Sequence, residues 1–243
     1  MNTYHVKQTA VINAANKTTT MKMIKLLSVP VLLSAVLVLA SFQKAGKESE
    51  RIENATKVLT TFANSDESIP QDLLKETEGI VVIPKMINAS FGIGGKRGKG
   101  VATVKLADGT WSNPVFITLT GGSIGFQIGV QSVDLVLVFK HKGVLTKVKN
   151  GDFTIGGDIS AAAGPVGRSS SASTDHKLEA EVYSYSRSRG LFAGISVNGS
   201  NLSIDKSANA NFYGSDITSQ QIFDTGKSTS TPVVGLKTAL KGL

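Results

Sequence analysis

VATVKLADGTWSNPVFITLT, residues 101–120, sets Asp108-Gly109 between two β-branched runs, Val101–Lys105 and Val115–Thr120, that alternate in polarity. An Asx-Gly pair in that setting is a strong hairpin signal, because a type I′ turn needs positive φ at both central residues. Two further pairs, Asn150-Gly151 and Asn198-Gly199, punctuate the chain downstream. The stretch from Gly79 to Asp205 holds 20 of the 25 glycines, roughly 16% of it against about 7% on average. The centre of the chain therefore reads as a glycine-rich antiparallel β-domain, and the question becomes what its surface binds.

Outward from that centre, Val133–Phe139 is apolar at nearly every position and is expected to be buried on both faces. Ile80–Ile83 reads as a short strand closed by Pro84. Shorter strands are expected at Val144–Val148, Phe153–Ile155 and Asp158–Ala163. Leu178–Ser186 and Leu191–Val197 read as a strand pair, and Asn201–Asp205 as the last strand. Helices flank this region. Ile52, Ala55, Leu59 and Phe62 fall on one helical face, and Ser68 with Pro70 opens a second helix. Ser207–Tyr213 and Ser215–Phe223 read as short helices. Thr231-Pro232 starts a final one, with Val233, Leu236, Leu240 and Leu243 on one side. The expected class is α+β and predominantly antiparallel β. It is a glycine-rich curved sheet or barrel-like core flanked by N- and C-terminal helices. A barrel would remove the sheet edges; strand order is left open.

The first forty residues differ. Lys22 and Lys25 precede LLSVPVLLSAVLVLA, Leu26–Ala40, with small residues at Val38 and Ala40 before Ser41. This reads as a secretory signal peptide, the run being short and interrupted for a membrane span. Residues 1–20 fit no n-region, which places the translation start at Met21 or Met23. The expected organisation is an upstream extension and signal peptide over 1–40 and a single domain over 41–243. The chain has no cysteine, which excludes a lipoprotein anchor, disulfides and thiolate metal sites. An exported protein of the periplasm or cell surface is expected. Of 26 basic residues, four lysines lie in residues 1–40; the remaining 22 face 18 acidic ones, a net of +4. That permits attraction to anionic lipid without demanding it.

Catalytic patterns are weak. Gly121-Gly122-Ser123-Ile124-Gly125 fits G-x-S-x-G, but that elbow needs strand, turn and helix, and Phe126–Val130 reads as strand. Gly92–Gly100 fails both the Walker and dinucleotide spacings. Read as a basic glycine loop, it could still gather anionic oxygen through Lys96, Arg97 and Lys99. His141 and His176 give no metal signature. No enzyme activity and no cofactor are expected. No stacking platform accompanies the basic residues near Tyr183 and Tyr185, so no nucleic-acid partner is expected either. Asp134, alone in an apolar strand, needs a hydrogen-bond partner or an edge. The first helix carries Lys44, Lys47, Arg51 and Lys57; the last carries Lys237 and Lys241. Apolar faces with basic flanks suit either an anionic membrane surface or simple coverage of the β-core.

Seven motifs occur in order. They are Trp111-Ser112-x-Pro114, Gly125-Phe126-Gln127-Ile128-Gly129, the Asp134 strand, Ala163-Gly164-Pro165-x-Gly167-Arg168, Tyr183-Ser184-Tyr185-Ser186, Gly190-Leu191-Phe192-Ala193-Gly194 and Asn211-Phe212-Tyr213-Gly214. Over residues 47–243 the chain resembles the SYLF family, also called the Ysc84 actin-binding or lipid-binding family, as an exported bacterial member. The resemblance implies binding rather than turnover. Eukaryotic members bind phosphoinositides, in part through a basic amphipathic N-terminal segment that matches Lys44–Phe62 here, and a yeast-type member binds actin. Neither partner suits an exported bacterial protein. The expected partner is an anionic phospholipid or membrane surface, contacted by Lys44, Lys47, Arg51, Lys96, Arg97 and Lys99. The alternative is a structural or protein-interaction module with an envelope protein partner. Trp111, Gln127, Asp134, Gly164, Pro165, Gly167, Arg168, Tyr185, Gly190 and Tyr213 are expected to be structural.

Overall fold

The computed structural model describes residues 46–65, 69–147, 153–165, 180–188, 190–194 and 196–243. By its contacts the chain divides into Met1–Gly46 and Lys47–Leu243; the second unit holds every described residue but Gly46. The elements are α1 (46–63), α2 (Gln71–Lys75), β1 (Gly79–Val104), β2 (Val115–Phe139), α3 (Lys142–Lys147), β3 (Phe153–Ile155), β4 (Ala161–Ala163), β5 (Val182–Ser188), β6 (Leu191–Gly194), β7 (Ser200–Ile204), α4 (Lys206–Tyr213), α5 (Ser219–Phe223) and α6 (Thr231–Lys241).

One long hairpin dominates. β1 and β2 pair antiparallel from Gly79 opposite Phe139 to Ala102 opposite Val115. The turn between them is the one built on Asp108-Gly109. Gly109 has φ 78, Leu106 donates to the Thr110 carbonyl at 2.7 Å, and the Asp108 carboxylate accepts the Thr110 amide at 2.9 Å. The other edge of β2 is shared by two strands. β7 takes Ile117–Gly121 and β5 takes Asp134–Phe139. β3 then extends β7, while β4, which runs parallel to its partner, and β6 extend β5.

The hairpin is bent so that the two ends of β1 lie side by side. The Lys105 amide donates to the Glu78 carbonyl at 2.8 Å. A Cβ on Gly100 would stand 2.0 Å from the Val82 carbonyl oxygen, and one on Gly98 2.3 Å from Ile83 Cγ2. Only glycine permits that approach. The result is a nearly closed, barrel-like sheet with flanking helices. Alternation along the strands sorts the apolar residues into two cores. Val81, Ile83, Ala102, Val104, Ile117, Leu119, Leu135, Leu137 and Phe139 face inward. Ile80, Val82, Val101, Phe116, Val136, Val138, Tyr183 and Tyr185 face outward under α1, α2, α4 and α6. Val133–Phe139 is thus buried on both faces, as its composition requires.

Several local expectations are corrected. Gly92–Gly100 is not a loop but the interior of β1; Gly98 and Gly100 serve the close return of the strand on itself. Pro84 does not end the first strand, because a register shift between Ile83 and Met86 absorbs it. Lys85 takes φ 49 there, and Asp134 Oδ1 accepts its amide at 2.9 Å. Asp134 therefore serves the bulge. Residues 142–147 are helical, not extended. Val144 and Leu145, adjacent apolar residues compatible with either state, are buried against the inner core while Glu78 accepts the Lys142 amide. Asn198-Gly199 turns the chain between β6 and β7, which pair with other strands rather than with each other. Asn150-Gly151 and Ser68 lie outside the described residues. α2 begins after Pro70 and α5 at Ser219.

Candidate functional site

The strongest convergence of charge joins α1, β1 and the start of α4. Ile52, Ala55, Leu59 and Phe62 are each fully buried, which holds α1 against the outer face of the sheet and fixes Arg51 beside it. Arg51 Nη1 lies 3.0 Å from Asp205 Oδ2, and its guanidinium sits 5.2 Å from the centroid of the Phe116 ring. Lys99 Nζ reaches the same carboxylate oxygen at 3.1 Å. Asp205 also caps α4, its other oxygen accepting the Ala208 amide at 3.2 Å and the Ser207 hydroxyl at 2.9 Å. Asn209 locks α4 to the sheet: its side chain accepts the Phe116 amide and donates to the Phe116 carbonyl. Burial alone would raise the Asp205 pKa. The bonds from Lys99, the Ala208 amide, Arg51 and Ser207 outweigh it and hold the pKa at about 2.

Two cations share the one Asp205 carboxylate, so these three groups carry one net positive charge, while α1 also exposes Glu50 and Glu53. Lys47, one turn before Arg51, is exposed, as are Arg97 and Lys206. Arg97 and Lys99 fall on the same outer face of β1 by alternation. Lys96 does not join them. It lies on the inner face, half-buried, with Nζ 3.4 Å from the Ser196 carbonyl, and burial lowers its pKa. Gly121 makes room for it: a Cβ there would stand 3.1 Å from Lys96 Cε and 2.8 Å from Ser200 Oγ. Lys44 lies outside the described residues.

Arg51 and Lys99 are thus held by Asp205 rather than free. The apolar face of α1 is spent on the core and is not offered to a membrane in this conformation. The same holds for α6, whose Val233, Leu236 and Leu240 are buried. Lys237 on that helix bonds Asn113 Oδ1 at 2.8 Å and also the Gly226 carbonyl. Glu48 was not singled out by the sequence. It is buried, with Oε1 3.4 Å from Asn211 Nδ2. Asp205 was equally missed, although an Asp between a strand and Lys-Ser-Ala is a legible helix cap.

Of the described motif residues, Trp111, Gly164, Tyr185 and Tyr213 pack. Trp111 is buried, with Lys105 Nζ 5.6 Å above its ring. The Tyr213 hydroxyl donates to the Pro114 carbonyl at 2.7 Å. Gly164 touches Tyr185, where a Cβ would stand 2.1 Å from Cζ. Pro165, exposed, follows it. Burial, then the neighbouring Tyr183, pushes the Tyr185 pKa up. Gly190 takes φ 89 in the turn from β5 to β6. The Gln127 backbone lies within β2; Gly167, Arg168 and His176 are outside the described residues.

Elsewhere, an open groove of about 860 Å³ is lined by Glu78, Lys105, Asp108, His141, Lys142 and Asp224 among others, charges of both signs with no dominant one. Gly121–Gly125 runs on inside β2, so the strand–turn–helix of a nucleophile elbow is absent there. Among the described residues no group of three His, Cys, Asp or Glu could hold a metal. No described helix is long and apolar enough to cross a membrane.

The family model for Ysc84, described as Las17-binding protein actin regulator, matches residues 120–243. The chain belongs to the Ysc84 family. It is 35% identical over 191 residues to LAS seventeen-binding protein 3 of Saccharomyces cerevisiae, covering 75% of this chain and 41% of that protein. It is 36% identical over 173 residues to SH3 domain-containing YSC84-like protein 1 of Xenopus laevis, covering 70% and 51%. Protein YSC84 of Saccharomyces cerevisiae is 36% identical over 179 residues, 70% of this chain and 38% of the relative. The chain spans about half or less of each of these Ysc84 relatives. The first of these relatives is named for binding LAS seventeen, and the family description names an actin regulator.

Proposed function

We propose that this Ysc84-family chain is a non-catalytic module that binds anionic phospholipid at a bacterial envelope. The observation that carries the reading is the sharing of Asp205 by Arg51 and Lys99. It leaves a cationic surface that Lys47, Arg97 and Lys206 extend. Such a surface attracts lipid phosphates through screened Coulomb forces, without a deep pocket. Arg51, 14% exposed, holds the surface in shape; Lys47, Arg97 and Lys99 make the contacts. Leu26–Ala40 directs export and is removed before Ser41.

Flotation with vesicles of phosphatidylglycerol mixed with phosphatidylcholine, and of phosphatidylcholine alone, tests the binding. The chain floats with the anionic vesicles at low salt and is released as salt rises. Lys47→Glu with Arg97→Glu weakens flotation and flattens its salt dependence. Equal absence of flotation on both vesicle types refutes the reading. Mass spectrometry of the protein from its own envelope tests export, and a peptide from residues 1–20 in the mature form would count against it.

A further inference from the structure

We infer that the middle of the β1–β2 hairpin, residues 87–97 with 122–132, is a ribbon that seats the outer face carrying Ile87, Ala89 and Val130 in the headgroup region of an anionic bilayer. The inference rests on the lipid reading above and names the surface that enters. Gly98 lies against Ile83 and Met86, so the packed body holds β1 on both sides of the ribbon. Met86 is 1% exposed, but Ile87 is 44% and Val130 63% exposed. Ile87 pairs with Ser132 and Ala89 with Val130, which places Ile87, Ala89 and Val130 on one face. That face continues the outer face of the sheet. Its α1 cover extends to Pro84 and Lys85, opposite Asn54, Lys57 and Thr61.

Three features select a bilayer as occupant. The two strands hold Lys96, Arg97 and Lys99 but no Asp or Glu from Met86 to Val104 or from Val115 to Val133. The ribbon therefore carries exposed Arg97 at its base and exposed Ile87 and Val130 on its outer face, and it has no carboxylate for a phosphate layer to repel. Arg97 and Lys99 belong to the charged junction already described, so attraction and insertion act at one end of the molecule. Among the described residues β2 pairs with β1 alone from Gly122 to Val133, and β1 pairs with β2 alone, so both outer edges of the ribbon are open there. Open backbone groups are costly in hydrocarbon, which limits entry to the headgroup level. The same open edges could instead pair with a second copy of the chain, and the test separates the two.

In the full chain, Val130→Trp reports locally, because Trp111 is buried and constant. Its emission shifts to the blue with phosphatidylglycerol-containing vesicles, stays unshifted with phosphatidylcholine, and is quenched by shallow spin-labelled lipid. Ile87→Asp with Val130→Asp lowers anionic flotation about tenfold or more with the melting transition kept. Val234→Asp, an equally exposed apolar site on α6, leaves flotation unchanged. The inference is overturned if wild type floats but the emission of the Val130→Trp variant does not move, or if the double Asp variant floats normally. It is also overturned if that double variant only breaks a dimer. Failure of wild type to float removes the lipid reading itself and this surface with it.

Discussion

Replacing Asp205 by asparagine separates the stability of the fold from the charge of its surface. The carboxylate side chain is 7% exposed and holds Arg51 at 3.0 Å and Lys99 at 3.1 Å. Asparagine keeps the helix cap nearly intact, so the change chiefly removes the two charge-assisted bonds. The fall of the Asp205 pKa from 3.8 to about 2 corresponds to roughly 2 to 3 kcal/mol of pH-linked stability. The exposed side of Lys99, 49% open to solvent, screens part of it, leaving about 2 kcal/mol. The sign follows from a depressed pKa. The stabilisation is complete above the unfolded value near 4 and disappears as pH falls towards 2. Urea unfolding of wild type and Asp205→Asn at pH 7, 5, 4, 3 and 2 checks this. The variant is less stable by about 2 kcal/mol at pH 7, and the gap closes between pH 4 and 2. A gap that stays constant across that range refutes the assignment. Vesicle binding moves the other way: without the carboxylate the junction gains one positive charge, so the less stable variant binds anionic vesicles more tightly at low salt.

Gly100→Ala places a methyl 2.0 Å from the Val82 carbonyl and 2.9 Å from Ile83 Cα, both backbone. It is expected to cost about 3 kcal/mol or more, whereas Gly122→Ala, with nothing within 4 Å, changes stability by at most about 0.5 kcal/mol. Equal urea midpoints would dismiss the close return of β1. Tyr185→Phe removes a buried hydroxyl that has no hydrogen-bond partner among the described residues, and should stabilise the fold by about 1 kcal/mol. A lower thermal midpoint would reveal a partner for that hydroxyl.

The elements that pattern alone makes legible are those whose periodicity answers to one partner. α1 and α6 follow from their apolar stripes, and the Asp108-Gly109 turn from its glycine, although Gly109 alone takes positive φ where a type I′ turn needs it at both central residues. The strand Val133–Phe139 shows its two-sided burial in its composition. The fold of β1 on itself was hidden, because Gly92–Gly100 has the same composition whether it is a solvated loop or a strand approached by its own first arm. Only the distance from Gly100 to Val82 distinguishes the two. The candidate site was half legible for a related reason. Cationic residues announce themselves, but whether a cation is free depends on partners remote in sequence. Asp205 lies 154 residues from Arg51 and 106 from Lys99, and nothing local to either cation hints at it. It is visible only as the cap of α4, a local role that says nothing of the ion pairs it also makes. Of the six residues that the sequence groups as one lipid contact, Lys44 lies outside the described residues and the other five divide by structure. Arg51 and Lys99 are tied to one carboxylate and Lys96 is turned inward, while Lys47 and Arg97 are exposed. On this division, reversing Lys96 should disturb the inner core more than vesicle binding, and reversing Arg97 the opposite.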